Sequence, residues 1–270
     1  MRQILCALLL AGLAACSDSA NQQAQTEQPA ATPVDSVSAD SLSTQLAPQV
    51  VKLADIPAKL RLPGQLLEAW RWTDANGENM LVVFRQEQKQ ADASDSTEAA
   101  YQELPDQSVE LFARQYVRRA GKYEEVWRLQ DAVRHCNFDM WLGPLPGATS
   151  ITDLDHNGQS ETTLIYKLTC RSDVSPSNLK LVMREGAAKY ALRGYTVVPY
   201  DSVPVSKRVP DNPCCLDAIS KQKLDAPDGF HLYDGRYETE KEFQAAPPAF
   251  LRFARQQWRK WSIHDEFEQL

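Results

Sequence analysis

The residues with the clearest chemical content are Asp153-Leu154-Asp155-His156-Asn157-Gly158-Gln159-Ser160-Glu161. Oxygen-bearing side chains hold the first, third, fifth and ninth places, and Gly158 stands sixth, where a sharp turn needs a residue without Cβ. This spacing folds hard oxygen ligands around one point. It suits calcium, which takes roughly six to eight oxygens. Asp153, Asp155, Asn157 and Glu161 are the candidate side-chain ligands, with the Gln159 carbonyl as a further one. A helix-flanked calcium hand would also require a bidentate Glu at the twelfth place, where Leu164 stands. Binding is therefore expected to be weak and matched to calcium-rich extracellular fluid. The same residues also fit a metal-free Asp/Asn-Gly turn between strands, tied by side-chain to backbone hydrogen bonds.

Other chemistry is sparse. The sequence holds no G-x-S-x-G, no H-E-x-x-H and no P-loop. His135, His156, His231 and His264 are scattered, and each reads as a surface or structural histidine. Asp131, Asp139, Asp153, Asp155, Glu161 and Asp173 surround the best motif, and their convergence would permit acid/base work. Acidic residues cluster by chance in a chain this acidic, so no catalytic residue is assigned and a non-enzymatic protein is the favoured reading. Of the six cysteines, Cys136, Cys170, Cys214 and Cys215 lie in the globular part. Four cysteines allow three connectivities. Cys214 and Cys215 are adjacent, and a bond between them would be strained, so their pairing is left open. A Cys136–Cys170 bond would close a loop around the Asp153 segment. C-x-x-C spacing is absent, which argues against a zinc site.

These residues need a scaffold, and the patterning predicts a mainly β or α+β one. Leu66–Trp72 and Met80–Phe84 flank Asp74-Ala75-Asn76-Gly77-Glu78, a hairpin signature. Val109–Arg118 and Tyr123–Leu129 flank Ala120-Gly121-Lys122, a second hairpin, although Glu110–Val117 also admits a short helix. Thr162–Leu168 reads as a strand, Leu179–Met183 and Lys189–Leu192 as a third hairpin around Glu185-Gly186, and Tyr195–Tyr200 as a further extended piece. At the end of the chain the period changes. Pro248, Phe250, Leu251, Phe253, Ala254, Trp258 and Trp261 recur at helical spacing, with Arg252, Arg255, Arg259 and Lys260 between them. This predicts an antiparallel, hairpin-rich sheet with a C-terminal amphipathic helix laid on it. The basic face of that helix either meets solvent above a core-packed stripe or meets anionic lipid. No clean internal repeat supports a propeller.

The opening residues bear on compartment. Met1-Arg2-Gln3 precedes the apolar run Ile4–Gly12, the form of a secretory signal. Leu13-Ala14-Ala15-Cys16 resembles the lipobox of bacterial lipoproteins. That resemblance implies removal of residues 1–15, acylation of Cys16 (palmitate included) and anchoring to membrane lipid in the cell envelope. Ser17 after the cysteine points toward the outer membrane. Export also makes disulfides expected. Residues 16–50 read as the lipidated cysteine and a tether, because 17–48 hold no aromatic, no Gly and no Lys or Arg. A single β-rich domain is expected over 51–270. The net charge of -7 resides in the tether and in the acidic stretch 86–108, leaving the rest nearly neutral. That distribution argues against a nucleic-acid partner. At 43% hydrophobic and 24% charged residues the chain is not wholly disordered, and no apolar run reaches the roughly 18 residues of a spanning helix.

Two further resemblances concern the domain. The Asp153 segment is similar to the calcium loops in β-hairpins of integrin-type repeats. The run Thr152–Glu161, then Tyr166, Cys170, Asp173-Val174-Ser175-Pro176-Ser177, Leu179-Lys180-Leu181 and Lys189-Tyr190-Ala191-Leu192-Arg193-Gly194 resembles the bacterial family labelled surface polysaccharide biosynthesis protein. Asp131, Cys136-Asn137-Phe138-Asp139 and Phe253-Ala254 to Trp258 fit the same pattern, which covers about residues 60–260. The resemblance implies binding or organising of surface glycan or its assembly machinery. It implies no catalytic residues, and the alternative beside it is a metal-assisted hydrolase or transferase acting on envelope polysaccharide.

Overall fold

The structure, a computed structural model, describes residues 46–89, 107–198, 202–204 and 207–265. The chain divides at Ser36, and every described residue belongs to the second unit, Val37–Leu270. The signal segment, Cys16 and most of the tether lie outside the described residues, as do residues 90–106 of the acidic stretch.

Two antiparallel sheets form in chain order. The first is a meander of β1 (Gln49–Val50), β2 (Gln65–Asp74), β3 (Gly77–Lys89), β4 (Gln107–Arg119) and β5 (Lys122–Cys136). The second contains β6 (Asp139–Pro144), β7 (Ser150–Thr152), β8 (Glu161–Arg171), β9 (Asn178–Glu185) and β10 (Ala188–Tyr195), in the order β10-β9-β8-β6. β6 and β7 share one edge of β8: β6 pairs with residues 166–171 and β7 with residues 161–163.

All three expected hairpins are present. The stretch Glu110–Val117 is strand, not helix: Val109, Leu111 and Ala113 are buried in alternation with Glu110, Phe112 and Arg114, the period of two that a pleated strand imposes. The ends of the acidic stretch are also strand, since Gln86–Lys89 pairs with Gln107–Glu110. Gln49 and Val50, the last residues assigned to the tether, pair with Arg71 and Trp70. Beyond Tyr195 the expected extended piece leaves the ladder. The Thr196 N–H donates to the Ser177 carbonyl and the Val197 N–H to that of Ser262, while Pro199 and Tyr200 lie outside the described residues.

The sheets pack face to face. Leu81, Val83, Leu111 and Trp127 of the first sheet meet Leu142, Leu164, Tyr166 and Val182 of the second. Each sheet has part of its second face covered as well. The segment Val51–Leu62 lies on Ala69, Met80, Val82 and Phe84. On the other side, α1 (the single turn Lys221–Leu224) and α2 (Pro248–Trp261) follow β10. Phe250, Phe253, Ala254 and Trp258 of α2 pack on Ile165, Leu179, Leu181 and Met183. Pro248 at the start of α2 suits a first helical turn, where its missing N–H costs nothing. The core-packed reading of this helix therefore holds for its apolar stripe. Trp258 is fully buried and its Nε1–H donates to the Gly235 carbonyl at 2.9 Å. On the basic face Arg255 pairs with Glu240, and Arg259 donates to the Asp211 carbonyl. Among the described residues no helix is long and apolar enough to cross a membrane.

Cys136, at the end of β5, is disulfide-bonded to Cys170, near the end of β8, with Cα atoms 5.7 Å apart. The bond joins the two sheets. Cys214 and Cys215 are bonded to each other across a cis peptide. Replacing both Cys136 and Cys170 by Ala is expected to lower unfolding free energy by about 3–4 kcal/mol in urea, from the loop-closure entropy returned to the unfolded chain. Unchanged stability, or free thiols at both positions in non-reducing peptide maps of the wild type, would contradict this.

Candidate functional site

Thr152 and Glu161 are register partners at the base of the β7–β8 connection, so the Asp153 segment is the tip of a hairpin. Its backbone is shaped by His156 at φ 60° and Gly158 at φ 81°. The left-handed conformation costs Gly158 little, and its place against the Ala75 methyl leaves scant room for a side chain: an added Cβ would stand 3.3 Å away.

The hairpin brings Asp153, Asp155 and Glu161 together, with one carboxylate oxygen from each within 4.8 Å of the others. Glu161 is fully buried. Its carboxylate accepts from the Thr152 hydroxyl at 2.8 Å and from the Leu154 N–H at 3.0 Å. Burial nevertheless raises its pKa from the ordinary 4.5 to about 8, and the nearby charges of Asp155 and Glu185 add to the rise. Glu185 is its register partner on β9. Asp153 accepts from the Gly158 N–H through Oδ2, whereas its Oδ1 is buried with no hydrogen-bond partner.

The side chains of Asn157 and Gln159 make hydrogen bonds of their own. Asn157 Oδ1 accepts from the Gln159 N–H at 2.7 Å, and its amide donates to Asp155 and Glu185. It is committed to the loop's own hydrogen bonds, as in the Asx turns such residues favour. Gln159 turns its side chain toward Asn76, whose amide donates to Gln159 Oε1 at 3.2 Å. Three carboxylates meet here, and Asn157 is hydrogen-bonded to one of them and to Glu185.

Sequence reasoning missed the buttress under this loop. The β2–β3 turn packs against it, and the Ala75 N–H donates to the Gly158 carbonyl at 2.8 Å. Asp74 Oδ2 accepts from both the N–H and the hydroxyl of Ser160, and Trp72 Nε1–H donates to Ser160 Oγ at 2.7 Å. The Asp-Ala-Asn-Gly tip read only as a hairpin turn, because nothing local to it names a distant partner.

The remaining acidic candidates do not converge. Asp131 accepts from Tyr166 and Lys180 in a cleft beside β5. Asp139 pairs with Arg171, five register positions along β8 from Tyr166, or about 17 Å at 3.3 Å per residue. Asp173 accepts from Ser175 in the next loop. The four histidines stand on separate elements. Near the candidate loop, half-buried Trp70 lines an open groove of about 240 Å³ with Ile151, Thr152, Lys260 and Trp261. No family model, curated protein or solved structure matches this chain.

The raised pKa of Glu161 makes a signed prediction. In chelator, the folded chain retains a proton on Glu161 that the unfolded chain releases above about pH 4.5. Its contribution is fully present below that pH and is lost as pH rises through about 8. Half-buried Glu68 and Asp234, also raised by desolvation, bend the wild-type curve the same way. Glu161→Gln should therefore gain stability relative to wild type as pH rises from 5 to 8, read from urea midpoints. A constant difference across that window would contradict the assignment.

Proposed function

We propose that this chain is a non-catalytic, lipid-anchored envelope protein that binds or organises surface glycan, and that the Asp153 loop takes calcium. The observation that carries the calcium reading is the meeting of Asp153, Asp155 and Glu161 within 4.8 Å around a fully buried glutamate. Burial and the neighbouring charges of Asp155 and Glu185 hold a proton on Glu161, and a divalent cation would replace that proton while supplying a partner for the buried Asp153 Oδ1. Calcium tolerates irregular geometry and fills its remaining positions with water or carbonyl oxygens, which suits a set of only three side-chain ligands. Bound there, the ion would stiffen the loop against the β2–β3 turn and so fix how the ends of the two sheets meet.

The glycan reading rests on the resemblance described above and on the aromatic groove beside the loop. Half-buried Trp70 and the edge of the largely buried Trp261 line the groove with Lys260, an aromatic surface beside a polar group that suits a sugar ring. The dispersal of Asp131, Asp139 and Asp173 over separate parts of the fold favours binding over hydrolysis. The membrane anchor rests on the lipobox-like Leu13-Ala14-Ala15-Cys16.

Two experiments test these readings. Calcium at millimolar concentration should raise the melting temperature of the full chain relative to chelator. The expected gain is RT ln(1 + [L]/Kd), about 2.7 kcal/mol at a hundredfold excess over Kd. Asp155→Ala should abolish the response. An unshifted wild type makes the loop a metal-free turn. For the anchor, Cys16→Ser should release the protein from the membrane fraction or leave it unprocessed, and a processed variant that still sediments with membranes overturns the lipidation reading.

A further inference from the structure

We propose that the inner face of β9 and β10, where it extends past β5, is a binding site for a compact oxyanion, a phosphoryl or carboxylate group presented by a saccharide. The oxyanion site stands independently of the calcium loop; its saccharide carrier rests on the glycan reading above.

The argument begins with register. On β9 the residues facing the first sheet are Lys180, Val182 and Arg184, since Val182 lies in the inter-sheet core and side chains alternate. On β10 they are Lys189, Ala191 and Arg193, by the same reasoning from Ala191. The hairpin pairs Arg193 with Lys180 and Lys189 with Arg184. Two pairs of like charges thus stand directly opposite each other, with Val182 and Ala191 as a small apolar floor between them. Directly opposed side chains have Cβ atoms about 4.5–5.5 Å apart, and like charges there are destabilising.

The place is a cleft of about 270 Å³ between this platform and β5, which contributes Arg128, Gln130 and Asp131. Five cations line it against one acid, in a chain whose net charge is -7. Asp131 is already taken by Lys180 at 2.5 Å and by the Tyr166 hydroxyl at 2.9 Å. Arg128 pairs with Glu125, and Arg193 with Glu242. Among the described residues Arg184 and Lys189 make no direct ion pair, and Glu242, paired with Arg193, acts on Arg184 only from a distance. Arg184 is half-buried, lies over the Trp127 ring at 5.7 Å, reaches the Ala187 and Arg128 carbonyls only at 3.4 and 3.5 Å, and keeps a buried Nε–H with no acceptor. Burial lowers its pKa, as desolvation of an underpaired cation must.

A guanidinium with a free N–H beside an unpaired ammonium is the donor set that holds phosphate or carboxylate oxygens. Protection of a sheet edge by charge accounts for Lys189 and Arg193, because β10 is an edge strand. It does not account for Lys180 and Arg184 on the interior strand β9. The size of the cleft matches one charged group or sugar residue, not a large cofactor.

The test is titration calorimetry of the full chain with inorganic pyrophosphate at low salt, in wild type and in the double variant Arg184→Gln/Lys189→Gln. Wild type should bind, and the double variant should bind at least tenfold more weakly. The variant's melting temperature without anion should match or exceed that of wild type, because opposed like charges are removed. A structural role for these cations predicts instead a fall in melting temperature with pyrophosphate affinity unchanged, and that result, or no pyrophosphate binding by wild type, overturns the proposal. A trigalacturonate competition arm separates the two readings. Displacement of pyrophosphate supports the saccharide carrier, and pyrophosphate binding without displacement retains the oxyanion site while rejecting a uronate glycan as its source.

Discussion

The constraint on which the rest of the molecule depends is the two-sided burial of β8. From Glu161 to Lys167 every residue of this strand is buried. One face meets the first sheet through Leu164 and Tyr166, and the other meets α2 and its neighbours through Ile165. A strand covered on both faces cannot leave polar atoms unpaired without a cost of about 1–3 kcal/mol each. Its polar residues therefore dictate what surrounds them. Thr162 donates to Gln115, which also accepts from Trp127 and donates to Asn79, building a buried network across the sheets. Glu161 requires Thr152 and the Leu154 N–H, which fixes the entry to the Asp153 loop.

The two ends of β8 are tied by different means. At its start, the loop leans on the Asp74 turn through neutral and charge-assisted hydrogen bonds. At its end, a covalent bond joins Cys170 to β5. The disulfide acts mainly by narrowing the unfolded ensemble and responds to redox state. The hydrogen-bonded end responds to whatever changes the charge of its carboxylates. The sandwich is thus fixed covalently at one end of β8 and held by carboxylate hydrogen bonds at the other.

How much of this was legible follows from which interactions are local. The hairpins were readable because Asn-Gly and Ala-Gly turns announce themselves within a few residues, and α2 because its apolar residues recur at helical spacing. The carboxylate cluster was readable in part. Asp153, Asp155 and Glu161 lie on one hairpin, so their spacing carries their meeting. Asn157 shares that hairpin and donates to Asp155, while its oxygen accepts from the Gln159 N–H. The helix alternative over Glu110–Val117 fell to the alternation imposed by two facing sheets, a tertiary effect. The Asp74 buttress was invisible, since residues 86 positions apart share no local pattern. The cationic platform was half visible: Lys180, Arg184, Lys189 and Arg193 are placed symmetrically about the Glu185-Gly186 turn, but which face they occupy depends on which residues of that hairpin meet the first sheet.

That last dependence explains how one hairpin holds charge of both signs without neutralising itself. On β9 the positions facing β5 are Lys180, Val182 and Arg184, and the positions facing α2 are Leu179, Leu181 and Met183, continuing to Glu185 beside the Asp153 loop. Alternation places Arg184 and Glu185, neighbours in sequence, on opposite faces of one sheet. A one-residue slip would exchange the faces, sending Leu181 and Met183 into the cationic cleft and Lys180 and Arg184 under α2. The buried leucines therefore fix the register, and the register keeps the cationic cleft and the acidic loop apart. The separation of two oppositely charged sites is a consequence of core packing, with no contact between the sites needed to maintain it.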